Sequence, residues 1–362
     1  MSMKALVYNG PGKRSWTDVP KPEIQKPTDA IVKVTSTTIC GTDLHILKGD
    51  TPEVKNGTIL GHEGVGVVES VGSAVNSFKK GDRVLISCIS SCGKCVYCAR
   101  DMASHCKDGG WILGHLINGT QAEYVRTPHA DGSLHALPPN LKDEQVLMLS
   151  DALPTGYEVG VLAGKIQPGD SVAIVGAGPV GLAALLTAQF YTPSQLIMID
   201  GNEDRLEAAK KLGATHVINP EKTKDIKAEV LGIQAQGVGD HVPEIQRPEP
   251  GIDVAIECVG IPATFQVCQE IISPGGRIAN VGVHGAKVDL HLEDLWIKNI
   301  NMSTGLVNAS STRMLLKSLI AGKLGKPEAL ITHKFKLNDI EHAYDVFGNA
   351  SKEHAIKMLL EA

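Results

Sequence analysis

Residues 171–190 read S-V-A-I-V-G-A-G-P-V-G-L-A-A-L-L-T-A-Q-F, and the fold turns on how this stretch divides. Taken whole, it is apolar and nearly long enough to span a bilayer. No basic asymmetry flanks it to orient such a span. Divided in two, 172–175 is a short buried strand and 179–189 an apolar helix. Between them lies the turn Gly176-Ala-Gly178-Pro179-Val180-Gly181. A G-x-G-x-x-G that follows a strand and opens a helix is the arrangement that binds a dinucleotide. Its glycines permit a tight turn, close approach of backbone to a pyrophosphate, and close helix–strand packing. The N–H groups at the helix start then face the anion. The next apolar run, 196–199, ends in Asp200, about where an acid meets the adenosine ribose.

The same rhythm continues outward. A helix is expected over 205–212, broken by Gly213, then a strand over 214–218 and another over 252–258. A helix over 265–271 follows, and Gly275-Gly276-Arg277 turns into a strand over 278–281. Strands alternating with helices predict a parallel sheet covered on both faces. Residues 1–150 differ: valine- and glycine-rich, with short apolar runs and many turns, they predict a mainly β domain. The stretch 232–251, G-I-Q-A-Q-G-V-G-D-H-V-P-E-I-Q-R-P-E-P-G, reads as a polar surface insertion.

Four cysteines fall within fifteen residues, Cys92, Cys95, Cys98 and Cys106, in C-G-K-C-V-Y-C-A-R-D-M-A-S-H-C. Short C-x-x-C steps aim sulfurs at one point, and four thiolates match the tetrahedral shell of structural zinc. A shell closed by four sulfurs has no open position, so it holds a fold together rather than doing chemistry. A looser set brackets it: Cys40 in T-I-C-G-T-D-L-H, and His62 with Glu63 in G-H-E-G-V-G-V-V. Each alone reads equally as a buried or surface residue.

At these residues the chain resembles the zinc-dependent medium-chain alcohol dehydrogenases, over essentially its whole length. G-H-E-G-V-G-V-V-E-S-V-G from Gly61 is similar to the family signature, and K-G-D-R-V to the strand that follows. C-G-T-D-L-H resembles the catalytic-cysteine segment, and L-S-D-A-L-P-T-G-Y from Leu149 the third-ligand segment. The resemblance implies a catalytic zinc on Cys40, His62 and Asp151, where many relatives have cysteine in place of Asp151, with Glu63 a ligand or a neighbour of one. It implies that Thr42 takes the alcohol proton, that His45 relays it, and that Asp43 orients His62. Cys88, Ile89 and Trp111 line the substrate pocket on the same basis. It implies a GroES-like catalytic domain over 1–155, a Rossmann nucleotide domain over 156–305, and a return to the first over 306–362. Homotetramers are the family's usual assembly.

Composition agrees. With 362 residues, 43% of them hydrophobic, the chain can bury two cores. A net charge of −5 makes no case for nucleic acid or anionic membrane as partners. The eight cysteines form no disulfide framework, and the N-terminus M-S-M-K-A-L-V-Y has no apolar signal core, so a cytoplasmic location is expected. The expectation is an NAD-dependent enzyme with two zincs per chain, acting on short primary or secondary alcohols and the matching aldehydes or ketones. Arg205 is expected beside the ribose with Asp200. A polyol, 2,3-butanediol or threonine dehydrogenase of the same family is the alternative. Of another class are a zinc-ribbon binding module and a non-catalytic relative.

Overall fold

A computed structural model of the chain describes residues 1–238, 245 and 249–362. These separate into two compact units, Met1–Pro154 with Val307–Ala362, and Thr155–Leu306.

The first unit is mainly β. A hairpin of β1 (Ser2–Tyr8) and β2 (Arg14–Pro20) precedes β3 (Ala30–Thr37), α1 (Gly41–Lys48), β4 (Gly64–Val71), β5 (Arg83–Ile86), β6 (Tyr124–Thr127) and β7 (Leu134–Ala136). In β3 the buried Val32 and Val34 flank an exposed Lys33, the alternation of a sheet with one face on a core. That core gathers Val32, Val34, Val68, Val84, Ile86, Val125 and Leu134. Helix α1 starts because Cys40 is extended (φ −104°, ψ 157°) and Asp43 reaches back to its N–H. It stops at Gly49, whose φ of 88° is left-handed.

The second unit is doubly wound. It comprises β8 (Ser171–Val175), α2 (Pro179–Ala188), β9 (Gln195–Ile199), α3 (Glu203–Lys211), β10 (His216–Ile218), α4 (Ile226–Val238), β11 (Ile252–Glu257), α5 (Pro262–Ile271), β12 (Ile272–Asn280) and β13 (Asn301–Thr304). Among the described residues the sheet order is β10-β9-β8-β11-β12-β13, and every pairing is parallel. Every residue of β8 and β9 is buried, so these strands read as continuous apolar runs rather than alternating ones. Stretch 171–190 is therefore strand, turn and helix, and no helix among the described residues is long and apolar enough to cross a membrane.

Two local readings change. Strand β12 begins at Ile272, directly after α5, not beyond the Gly275-Gly276 turn. Ile252 pairs with Ile272 but Val254 with Arg277, so the intervening residues bulge out, with Gly275 at φ 74°. The first part of the expected insertion, residues 232–238, is helical and forms the end of α4. The rest of it, apart from 245 and 249–251, lies outside the described residues.

The chain closes with α6 (Thr312–Ile320), β14 (Ile331–Lys336), α7 (Ile340–Gly348) and β15 (Lys357–Glu361). Strand β15 lies between β14 and β3 in the sheet of the first unit.

Candidate active site and metal centres

Cys92, Cys95, Cys98 and Cys106 bring their sulfurs within 4.8 Å of one another. The Sγ atoms of Cys95 and Cys98 are 3.5 Å apart, close to the roughly 3.8 Å edge of a tetrahedron with 2.3 Å zinc–sulfur bonds. Backbone N–H groups already point at the sulfurs, from Cys92 to Cys106 (3.2 Å) and from Cys98 to Cys95 (3.5 Å). N–H groups of Cys98 and Lys107 bring the Cys95 thiol down to about 6. Burial pushes the Cys106 thiol up to about 12. Four convergent sulfurs, two with opposite tendencies to ionise, fit a dication whose charge would hold all four as thiolates. Paired backbone bonds between Ser90 and Gly110 (2.9 and 2.6 Å) close the base of the lobe. Asn308 Oδ1 accepts from Ser104 N–H and Oγ–H at 3.1 and 2.7 Å, tying the lobe to the returning chain.

The second cluster is Cys40, His62, Glu63 and Asp151, whose ligand atoms also lie within 4.8 Å of one another. Cys40 comes from the turn between β3 and α1, His62 and Glu63 from the entry to β4, and Asp151 from the end of a 3-10 turn over Leu147–Ser150. His62 Nε2 is 3.2 Å from Asp151 Oδ2, and Cys40 Sγ is 3.9 Å from the same oxygen. Burial opposes charge on His62, yet hydrogen bonds and negative charge from Asp151 and Cys40 hold its basicity well above that of an ordinary imidazole. Nitrogen, sulfur and carboxylate oxygen converging at one buried point fit zinc, and such a donor set of three leaves a position open.

Lys357, on β15, carries no signal that the sequence reading used. Its Nζ is 2.8 Å from Glu63 Oε1, and both side chains are only 1% exposed. Burial works to strip its proton, but Glu63, then Cys40 and Asp151, hold it on and raise its pKa. Burial likewise raises Glu63, against the pull of Lys357. The Glu63 backbone carbonyl is fixed by Thr37 and Thr120 hydroxyls, each at 2.7 Å. A lysine inside the apolar run A-I-K-M-L-L was the available clue, because a lysine is almost never fully buried without a partner.

Asp43 Oδ2 accepts from Cys40 N–H (2.8 Å) and from the Gln121 amide (3.1 Å), and Gln121 Oε1 accepts from the Tyr344 hydroxyl (2.8 Å). Asp43 thus anchors the cysteine turn; burial raises its pKa, and the charge of His62 works against that rise. Gln121 and Tyr344 were not foreseen. Thr42 Oγ1 is 3.7 Å from Cys40 Sγ. Thr42 lies in the first turn of α1, just after the N-cap Cys40. His45, one turn on, sits half-buried with Nδ1 2.8 Å from Asp50 Oδ2. The Trp111 ring meets His62 edge-on at 6.4 Å and stacks on His115 at 4.1 Å. Cys88 is buried, and its N–H bonds the carbonyl of Ser150, next to Asp151, at 3.0 Å. Ile89 is buried beside it.

The nucleotide fingerprint lies in the second unit. Gly176 has φ 106°, and a Cβ on Gly181 would come within 1.8 Å of the Gly176 carbonyl oxygen, so neither tolerates a side chain. Gly178 caps α2, Pro179 occupies its first position, where no N–H is needed, and Val180 follows. Asp200 does more than the sequence suggested: Oδ2 accepts Ala177 N–H at 2.7 Å and Oδ1 accepts Asn202 N–H at 2.8 Å. It braces the turn it neighbours. A cleft of about 570 Å³ is lined by Gly176, Gly178, Asp200, Arg205, Ile226 and Val259 among others. Glycine backbone at one end, a carboxylate at the next strand and apolar walls fit a dinucleotide.

Residues 26–139 match the family described as alcohol dehydrogenase GroES-like domain, and 179–320 that described as zinc-binding dehydrogenase. The chain belongs to the zinc-dependent medium-chain alcohol dehydrogenase family. It is similar to the structure of zinc dependent alcohol dehydrogenase 2 from Streptococcus pneumonia, at 54% identity and TM-score 0.91, covering 99% of this chain and 98% of that one. An alcohol dehydrogenase of Cupriavidus necator is 37% identical over 96% of this chain and 95% of its own. A Mycoplasma pneumoniae protein named a probable NADP-dependent isopropanol dehydrogenase is 31% identical, over 97% and 98%. Membership makes this medium-chain dehydrogenase an oxidoreductase, with one GroES-like unit and one Rossmann unit.

Proposed function

We propose that the protein is an NAD-dependent zinc alcohol dehydrogenase of short primary or secondary alcohols, running to aldehydes or ketones. The convergence of Cys40, His62 and Asp151 within 4.8 Å, apart from a closed four-sulfur group, carries this reading. In such a site zinc supplies the Lewis acidity that makes a bound alcohol acidic, and NAD the hydride acceptor. The chain's own residues do the rest. Cys40, His62 and Asp151 would hold the ion, and Asp43 fixes the turn that presents Cys40. Thr42 takes the hydroxyl proton. His45 lies three residues on, on the same face of α1, and receives it. Asp50 accepts from His45 Nδ1, which leaves Nε2 to carry a proton toward solvent. Cys88, Ile89 and Trp111 give the substrate an apolar wall, which favours a small uncharged alcohol over a polyol.

Asp200, which lines the cleft, favours NAD, because its carboxylate would repel a 2′-phosphate, and Glu203 adds a second acid three residues on. None of the eight cysteines is joined in a disulfide, which fits a cytoplasmic enzyme. Assembly as a homotetramer completes the reading. The test is reduction of NAD and NADP against a panel of primary and secondary alcohols, diols and threonine, with zinc analysis of the same preparation. Turnover of short alcohols with NAD and two zincs per chain is expected. Preference for diols or threonine would move the substrate assignment, and no turnover with either cofactor would overturn it.

A further inference from the structure

At the carboxyl edge of the parallel sheet sits a carboxylate that the proposed reaction does not use. Glu257 ends β11 and is wholly buried. Its Oε1 accepts three hydrogen bonds, from Val259 N–H (2.9 Å), Gly260 N–H (2.8 Å) and Thr264 Oγ–H (2.7 Å). Val259 and Thr264 line the nucleotide cleft, so one oxygen organises that wall. Its Oε2 is buried, has no hydrogen bond among the described residues, and faces His284 Nε2 at 3.5 Å. His284 follows β12. Its Nε2 is 2.8 Å from Asn280 Oδ1, and the Asn280 amide donates to the Gly282 carbonyl at 3.0 Å. With the amide so oriented, Oδ1 can only accept, so Nε2 bears the hydrogen that faces both Asn280 and Glu257. The ring is held edge-on to Phe265 of α5, at 6.0 Å.

The two loops cannot move independently. A Cβ on Gly282 would sit 2.3 Å from Glu257 Oε2 and 2.3 Å from Gly260 N. One on Gly260 would sit 2.2 Å from the Val283 carbonyl oxygen. The Glu257 carbonyl accepts the N–H groups of Val281 and Gly282, at 2.8 and 3.1 Å. On the other side, a Cβ on Gly176 would strike the Val259 side chain at 2.5 Å. A continuous line of contact therefore runs from the fingerprint turn, through the cleft wall and Glu257, to His284.

We propose that His284 and Glu257 are a positioning pair for the dinucleotide: His284 clamps the segment after β12 to the carboxylate that holds the cleft wall against the fingerprint turn. The inference rests on reading that cleft as the cofactor site. Neither side chain reacts. Their effect is on cofactor affinity and on KM for the cofactor, with less effect on KM for the alcohol.

The experiment is NADH and NADPH titration of the zinc-loaded enzyme by nucleotide fluorescence, for wild type, His284→Ala, His284→Gln, Glu257→Gln and the His284→Ala/Glu257→Gln pair. Thermal unfolding and zinc content are recorded alongside. Wild type that binds neither nucleotide refutes the cofactor reading itself. Given wild-type binding, His284→Ala should weaken Kd for the preferred nucleotide roughly tenfold. His284→Gln, which keeps a donor, should recover most of that. The double variant should lose much less than the product of the single losses, because both break one link. Wild-type Kd in His284→Ala, or losses that multiply in full, would overturn the pair. If Glu257→Gln fails to fold, the contrast between His284→Ala and His284→Gln still decides, since a loss that glutamine does not rescue counts against it.

Discussion

Lys357 and Glu63 are two charges that share one buried hydrogen bond, so each depends on the other. Lys357→Met leaves a carboxylate buried among Cys40, His62 and Asp151 without its cation. Breaking such a pair typically costs about 3–5 kcal/mol. A large drop in unfolding midpoint is expected, partly restored by adding Glu63→Gln. A midpoint within a degree of wild type would show that the ion pair contributes little. Asp200 poses a different single-residue question. Asp200→Gly removes the charge that disfavours a 2′-phosphate and also the acceptor for Ala177 N–H. The ratio of kcat/KM for NAD over NADP should fall by roughly tenfold to a hundredfold. Asp200→Asn should keep more total nucleotide affinity than glycine does, because its amide oxygen can still accept. A wild type that already favours NADP would contradict the assignment.

At the scale of elements, the cysteine lobe and the cysteine turn should fail differently. The lobe over 92–106 contains short 3-10 turns and little apolar core, so convergent sulfurs must hold it. Cys95→Ser should lose one zinc and lower the unfolding midpoint. Cys40→Ser should abolish turnover while the fold persists, because α1 is still docked through Ile46 and Leu47. Metal content, circular dichroism and activity of the two variants separate the roles, and matching losses in both would sink the division. Strand β7 carries a second element-level effect. His135 is buried, and neither ring nitrogen has a hydrogen-bond partner among the described residues. Burial first, and then the charge of Arg313, lower its pKa from 6.5 to about 4. The folded form keeps it neutral while the unfolded chain binds a proton below about 6.5. Its contribution is therefore present above that pH and is lost as pH falls toward 4, up to about 3 kcal/mol. Urea unfolding at pH 7 and pH 5 should show a smaller acid loss in His135→Leu than in wild type. Equal losses would assign the acid sensitivity to other groups.

At the scale of the whole molecule, the six-stranded sheet ends in β13, where Met302 is exposed, and Trp296 and Ile297 just before it are 72% and 67% exposed. Exposed apolar side chains beside an open sheet edge favour association over a lone chain. Light scattering at micromolar concentration should return an assembly, with a tetramer expected. A monomer would count against it.

What could be read from the residues alone was local. The fingerprint turn, the cysteine spacing and the strand–helix rhythm each lie within a few tens of residues, where backbone geometry and ligand spacing leave a visible pattern. The membership of the chain and its two fold types follow from such patterns. Boundaries slipped where a bulge or a helix end depended on neighbours, as at Gly275 and residues 232–238. Tertiary structure alone decided the partners. Lys357 reaches Glu63 across 294 residues, and Tyr344 reaches Gln121 across 223. Glu257 meets His284 only because β11 and β12 lie side by side. Burial makes these pairings obligatory, since a charge or donor removed from water must find a partner. Which residue supplies that partner is set by sheet order, and no local pattern in the chain encodes it.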